Sequence, residues 1–265
     1  MNNMAKLNDL TGKEWIQFTK SWFKVNAKIR KNDEIQHPAK YPEEMVDDFI
    51  KFFTKEGDLV FDPFLGVGST IVSAERNGRK GIGVELNKTF FEIAKRRCSD
   101  AAIIINGDSR IDINKIKNES VDFIMTSPPY WNILSKKRGN SDSQHGDREK
   151  KGLQLTYSDL DNDLSNINDY DLFLKELNKV FNKCYLKIKN GKYMVVVIQN
   201  FRNDDGEYMT LAWDLAKLLQ KKWRFCGEKI WIQEDKKLGI WGYPSTFVPN
   251  IHHHYCLIFR KDERK

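Results

Sequence analysis

The sequence predicts an α/β fold: an open, mainly parallel sheet whose strands are joined by crossover helices. Three observations lead there. From residue 57 onward, short β-branched runs alternate with segments of helical period. The helical segments carry their own punctuation, with Asn87 placed to cap one start and Gly78 at another's stop. Acidic residues, Asp62, Glu85 and Asp108, stand at three successive strand ends, the edge where an open parallel sheet holds its ligands.

The elements follow in order. Residues 1–56 read as a helical N-terminal segment. Thr11-Gly12-Lys13-Glu14 has the capping-box pattern ahead of Trp15, Phe18 and Trp22, which share one helical face, and Val46, Phe49, Ile50 and Phe53 make a second apolar stripe. Both stripes are expected to pack against the sheet edge. DLVFD (58–62) is a strand, STIVSAERNG (69–78) a helix, GIGVEL (81–86) a strand and NKTFFEIAKRRC a helix, with AAIIING and VDFIMT as further strands. A polar interval, 132–168, interrupts the alternation. The helix DYDLFLKELNKVFNKCYLKI then turns through Asn190-Gly191 into the strand KYMVVVIQN. The helix YMTLAWDLAKLLQKK follows, and the strands EKIWIQ and HYCLIFRK close the run. The whole is expected to be one domain, with 57–131 as its core, 132–168 as an insertion and 169–265 completing the sheet.

The 265 residues can bury a sizeable core, and 40% hydrophobic with 31% charged residues suits a soluble globular protein. The longest apolar runs, such as residues 193–198, are far too short to cross a bilayer. The polar start MNNMAKLNDL lacks a signal-peptide core, and Cys98, Cys184, Cys226 and Cys256 form no CxxC pair, so a cytoplasmic chain with reduced thiols is expected. The net charge of +7 favours a polyanionic partner, although a well-solvated lysine-rich surface has the same balance.

The chemistry concentrates at the strand ends. FDPFLGVGST is a glycine-rich strand-to-helix turn in which Gly66 and Gly68 let the backbone approach a ligand, while Ser69 and Thr70 open the next helix. A dinucleotide turn would need a third glycine where Ile71 stands. Asp62, sited where a pyrophosphate would lie, repels phosphate and welcomes a cation such as the ammonium and sulfonium of S-adenosylmethionine. Glu85 can accept hydrogen bonds from two ribose hydroxyls, and Asp108 from an adenine amino group; each taken singly can also be a carboxylate that caps a nearby helix, a reading that three acids at successive strand ends weaken. TSPPYWN (126–132) ends a buried strand in a stiff extended turn, because neither proline donates to a ladder and each restricts its predecessor.

With HPAKYP, FDPFLGVGST, GVEL, NGDS and TSPPYWN in this order, nearly the whole chain resembles the amino-methylating DNA methyltransferases, which act on the exocyclic nitrogen of cytosine or adenine. The resemblance implies a Rossmann-like sheet of about seven strands with helices on both faces and an antiparallel final hairpin. It also implies S-adenosylmethionine as cofactor, held by His37, Pro38, Asp62, Phe64, Gly66, Gly68, Ser69, Thr70, Glu85, Leu86, Asp108, Ser109 and Ser127. Ser127, Pro128, Pro129 and Tyr130 become the catalytic turn. The Ser127 hydroxyl and the Pro128 carbonyl accept the amine's protons, and Tyr130 stacks on a base taken out of the duplex.

In this family a serine before PPY goes with cytosine N4, so N4-methylcytosine is the leading product. N6-methyladenine is the alternative, and an RNA or protein amide substrate is a more distant one. Carbon-5 methylation needs a cysteine nucleophile, usually one following proline, and no cysteine here follows one. No metal is expected, since His252, His253 and His254 alternate faces along a strand. The chain lacks the sizeable target-recognition domain of many members, which leaves 132–168 and the loop 234–250 for double-stranded DNA. Lys136, Lys137, Arg138 and Arg148 are placed for phosphates and Asn140 for base edges. A cognate restriction endonuclease would be the further partner, and no membrane is involved.

Overall fold

The structure, a computed structural model, describes residues 6–25, 41–131, 160, 162–203 and 206–262. Eight strands share one sheet: β1 (Trp22–Lys24), β2 (Leu59–Asp62), β3 (Lys80–Glu85), β4 (Ile103–Asn106), β5 (Val121–Thr126), β6 (Ile188–Ile198), β9 (Arg224–Ile232) and β10 (His253–Arg260). Their spatial order is β1-β9-β10-β6-β5-β2-β3-β4. The short pair β7 (Phe201–Arg202) and β8 (Tyr208–Met209) stands apart from it.

Parallel pairing joins β2 to β3, β3 to β4, β2 to β5 and β5 to β6, whereas β10 runs antiparallel to both β6 and β9. From β2 the chain winds outward to β3 and β4, and β5 then lies on the other side of β2. The order therefore reverses at β2, and the crevice at such a reversal is where open α/β sheets take ligands.

The alternation of side chains along the central strands builds two apolar layers. Phe61, Ile124, Met194, Val196 and Leu257 face α6 (Tyr170–Lys187) and α7 (Leu211–Leu219). Val60, Phe123, Met125, Val195 and Val197 face α2 (Glu43–Phe53) and α3 (Ser69–Arg76). The predicted stripe on α2 is the buried one, with Val46, Phe49, Ile50 and Phe53 at its centre. Helix α6 begins where Asp169 accepts from the Leu172 N–H at 2.6 Å, and α4 (Lys88–Arg97) begins where Asn87 accepts from the Thr89 N–H at 2.9 Å.

Two expectations are corrected. The capping box at Thr11 and Glu14 forms, but α1 spans only Gly12–Phe18, and Trp22 belongs to a strand instead of continuing the helical face. The Lys229 ammonium donates to the carbonyls of Phe18 and, at 2.6 Å, Lys20, which satisfies the helix end and frees the next residues to pair with β9. That edge strand raises the expected seven strands to eight. Asn190-Gly191, expected as a turn, lies inside β6. The register between Val121↔Ile188 and Phe123↔Tyr193 absorbs the extra residues as a bulge.

Candidate active site

At the C-terminal edge of β2, β3, β4 and β5 opens a cleft of about 880 Å³, counting its solvent-open part. Its floor is the turn after β2. Gly66 and Gly68 take φ of 57° and 90°, a conformation other residues enter only with strain, and Gly68 leads directly into α3 (Ser69–Arg76). A Cβ at Gly68 would stand 3.1 Å from the Cys98 sulfur and 3.3 Å from Ala94, so the loop also packs too closely for a side chain there. Phe64, Gly66 and Ser69 face the cleft. Ser69 Oγ is buried and has no hydrogen-bond partner among the described residues, which leaves a polar atom in the cradle for a ligand to satisfy.

Glu85, ending β3, is a buried acid on the wall. Its Oε2 accepts from the Gly66 N–H at 2.7 Å and its Oε1 from the Asn87 N–H at 2.8 Å, so the carboxylate ties the glycine loop to the start of α4. Each oxygen keeps capacity for a further donor, as two vicinal hydroxyls would require. Burial, reinforced by the nearby charges of Asp62 and Asp163, pushes its carboxyl up to about 8.

Asp62 lies behind the wall. Its Oδ1 accepts from the Phe64 N–H at 3.0 Å and the Thr126 hydroxyl at 2.6 Å; its Oδ2 accepts from Thr70 at 2.6 Å and Tyr41 at 3.2 Å. Three donors, with the Tyr41 phenol proton shared between Asp62 and the Thr70 oxygen beside it, nearly fill the acceptor capacity of the carboxylate. Asp62 therefore offers a buried field to the cleft while its hydrogen bonds fasten the glycine loop to the end of β5. Burial pushes its carboxyl upward against the effect of those donors. Gly68 and Thr70 likewise support the wall from behind, whereas Tyr41 and Leu86 are on it.

Asp108 also faces the cleft, and it caps α5 (Ser109–Asp112) as well: it accepts from the Arg110 N–H at 2.8 Å and holds the Arg110 guanidinium at 2.6 Å. Ser109, on the wall, donates its hydroxyl to the Pro63 carbonyl. Opposite, β5 delivers Ser127 and Pro129 to the same cleft. Ser127 Oγ is 3.1 Å from Tyr130 Oη, and that phenol donates to the Val197 carbonyl at 3.3 Å. With the phenol proton directed at Val197, the serine proton points at Tyr130, and the serine lone pairs are left for the cleft. The Tyr130 ring is 8% exposed and sits in the core, so its contact with the cleft runs through Ser127. Pro128 is buried beside it. The turn ends at Trp131, whose φ of 53° is held by burial and by donation of its indole N–H to Ile167 O at 2.7 Å.

The structure thus brings together Phe64, Gly66, Ser69, Glu85, Leu86, Asp108, Ser109, Ser127 and Pro129. His37, Pro38, Lys136, Lys137, Arg138, Asn140 and Arg148 lie outside the described residues. Sequence reasoning missed Phe90, Asn162, Asp163 and Leu164, and took in Tyr41 only as part of HPAKYP; all are on the cleft wall. Residues 162–164 come from the end of the interval assigned to DNA. There Asp163 accepts from the Ser165 N–H at 2.8 Å and starts a short 3-10 turn, so this end of the interval closes the cleft. The Asp-x-Ser capping pattern was the available signal.

The DNA methylase family of N6 and N4 methyltransferases matches residues 4–96 and 121–265 of this chain. The chain is 45% identical over 69 residues to the orphan methyltransferase M.BamHII of Bacillus amyloliquefaciens, covering 26% of each chain. It is 26% identical over 155 residues to the type II methyltransferase M.MthZI of Methanothermobacter thermautotrophicus, covering 58% of this chain and 41% of that one. The matches therefore span less than half the length of these relatives. In fold it is similar to a solved structure of a proposed rRNA-methylase from Clostridium thermocellum, with a TM-score of 0.50 and 15% identity over 84% of this chain and 100% of that one.

Proposed function

Since the chain belongs to the DNA methylase family, we propose that it transfers a methyl group from S-adenosylmethionine to the exocyclic N4 of cytosine in duplex DNA. The observation that carries this reading is that Ser127 and Pro129 stand on the same cleft as the glycine loop and Glu85. An acceptor for an amine, Ser127 Oγ, thus faces the pocket suited to the cofactor. The orphaned Ser69 Oγ and the spare acceptor capacity of Glu85 fit an amino-acid and ribose moiety there. When bound, S-adenosylmethionine supplies an electrophilic methyl group on sulfur.

The chain's own residues act on the amine. An exocyclic nitrogen is a poor nucleophile because its lone pair is delocalised into the ring. Acceptors that take its two protons draw it toward tetrahedral geometry and localise that pair. Ser127 Oγ, its proton turned toward Tyr130, and the Pro128 carbonyl are these acceptors, and the two prolines hold them still. Lys136, Lys137, Arg138 and Arg148 are the proposed phosphate contacts and Asn140 a base contact. A role in restriction and modification, beside a cognate endonuclease, belongs to the same reading.

Labelled S-adenosylmethionine and unmethylated duplex DNA, followed by mass spectrometry of the digested nucleosides, test the proposal. N4-methylcytosine is expected. N6-methyladenine alone would move the assignment to the family's other amine, and no methylated nucleoside would overturn it.

A further inference from the structure

Between β9 and β10, residues 233–252 form a loop whose apolar side chains face outward. Leu238 is 76% exposed, Ile240 85%, Trp241 52%, Tyr243 82% and Phe247 90%. Such a concentration is uncommon on a monomer surface and marks contact with something else. The backbone beneath is fastened. Asn250 Oδ1 accepts from the Gly239 N–H at 2.9 Å and the Trp241 indole at 3.1 Å, and its Nδ2 donates to Gly239 O at 2.9 Å. Gly242, with φ of 72°, turns so tightly that a Cβ would meet Thr246 O at 2.3 Å. The apolar groups are thus displayed by a shaped scaffold.

The loop's position gives its partner. Because β10 is antiparallel to β6, with Tyr255 opposite Ile198, the loop leaves the sheet at the same edge as the catalytic turn. Its foot lies beside that turn and the end of β6: the His254 ring is 6.0 Å from the Tyr130 ring, and Gln199, just past β6, donates to His253 O at 2.7 Å. The loop's acids, Glu234 and Asp235, stand at its start, where Glu234 pairs with Lys24 at 2.6 Å, and from Lys236 through His254 the chain carries none, so the stretch that holds the apolar side chains sets no like charge against a polyanion.

We infer that the loop 238–247 is an apolar wedge that enters the base stack of duplex DNA beside the target nucleotide and holds it open. This rests on the DNA reading above and deepens it: a base must leave the duplex to reach Ser127, and apolar side chains inserted between base steps are a physical means of unstacking them.

The test replaces Tyr243 and Phe247 together by Ser in the full chain, with Asn250→Ala as a second variant that loosens the scaffold while keeping the side chains. Methyl transfer is measured on unmethylated duplex DNA and on the same DNA heat-denatured, alongside cofactor affinity and sedimentation. Loss of base stacking predicts duplex transfer at least about tenfold slower in both variants. Denatured DNA, already open, should lose far less, with cofactor affinity unchanged. Equal loss on both DNA forms, or unimpaired duplex transfer, overturns the wedge. A wild-type dimer that the double variant turns into a monomer also overturns it, by making the loop a subunit contact. Wild-type protein that methylates neither DNA form instead overturns the DNA reading on which the wedge depends.

Discussion

Lowering the pH should weaken cofactor binding through Glu85, and the size of the effect follows from its surroundings. Glu85 is buried on the cleft wall, its carboxyl is pushed up to about 8, and both oxygens already accept backbone N–H groups. A ligand that presents two hydroxyls is held best by the ionised form, which accepts from both, whereas the protonated acid accepts from one and donates to the other. The apparent dissociation constant then scales inversely with the ionised fraction. Two pH units below the carboxyl's pKa that fraction is about 1%, so affinity at pH 6 should be weaker than above pH 9 by up to roughly a hundredfold, or about 2.7 kcal/mol.

Glu85→Gln removes the titration. Its amide nitrogen must face either the Gly66 or the Asn87 N–H, which costs about 1 to 3 kcal/mol and weakens binding at every pH equally. Isothermal titration from pH 6 to 9 with 5′-methylthioadenosine, which carries the ribose and adenine but no titrating amino acid, isolates the effect. The dependence of the heat on buffer should report about one proton released at pH 7. A wild-type affinity that stays flat across this range, or a slope that persists in the Gln variant, would refute the assignment of Glu85.

Other outcomes can be measured alongside. Ser127→Ala should cut methyl transfer about a hundredfold at saturating substrate while leaving cofactor affinity within a factor of two or so; an unchanged turnover number would remove Ser127 from the chemistry. Tyr130→Phe, which leaves the serine proton without its phenol partner, should slow transfer by roughly tenfold, and the rate on saturating DNA checks it. Asp62→Ala strands three hydroxyls and the Phe64 N–H, so urea denaturation should show a loss of about 3 to 5 kcal/mol. Stability of the ligand-free protein should carry a falling contribution as pH rises from about 5 to 8. The folded-state carboxyl of Glu85 lies above its unfolded value, so its contribution is full below the unfolded pKa and is lost as pH passes the folded one. Urea midpoints of wild type and Glu85→Gln across that range check the sign.

What could be read in the sequence was local. Asp62, Glu85, Asp108 and Ser127 were each recognisable at or just after a strand end, because strand, turn and cap signals act within a few residues of one another. Their convergence on one cleft followed from the parallel winding. Trp22 was misread because a three-residue edge strand has no period of its own and exists only through its pairing with Ile230, far along the chain. Tyr41 and Asp163 reach the cleft by tertiary contacts that spacing does not encode. The occupancy of Asp62 was equally hidden, since a sequence shows a carboxylate but not how many hydroxyls it has already engaged.

That occupancy fixes the sense of a whole network. An ionised carboxylate can only receive, so the hydroxyl protons of Thr126, Thr70 and Tyr41 converge inward on Asp62 or on one another. What these groups can present elsewhere is lone pairs. A proton arriving at Asp62 would add a donor to a cluster already full of them, and at least one hydroxyl would have to swing away. Because Thr70 opens the helix after the glycine loop and Thr126 immediately precedes Ser127, that single swing would be felt at both ends of the cleft. The orientation of a few hydroxyl rotors behind the wall thus couples the glycine loop to the turn after β5.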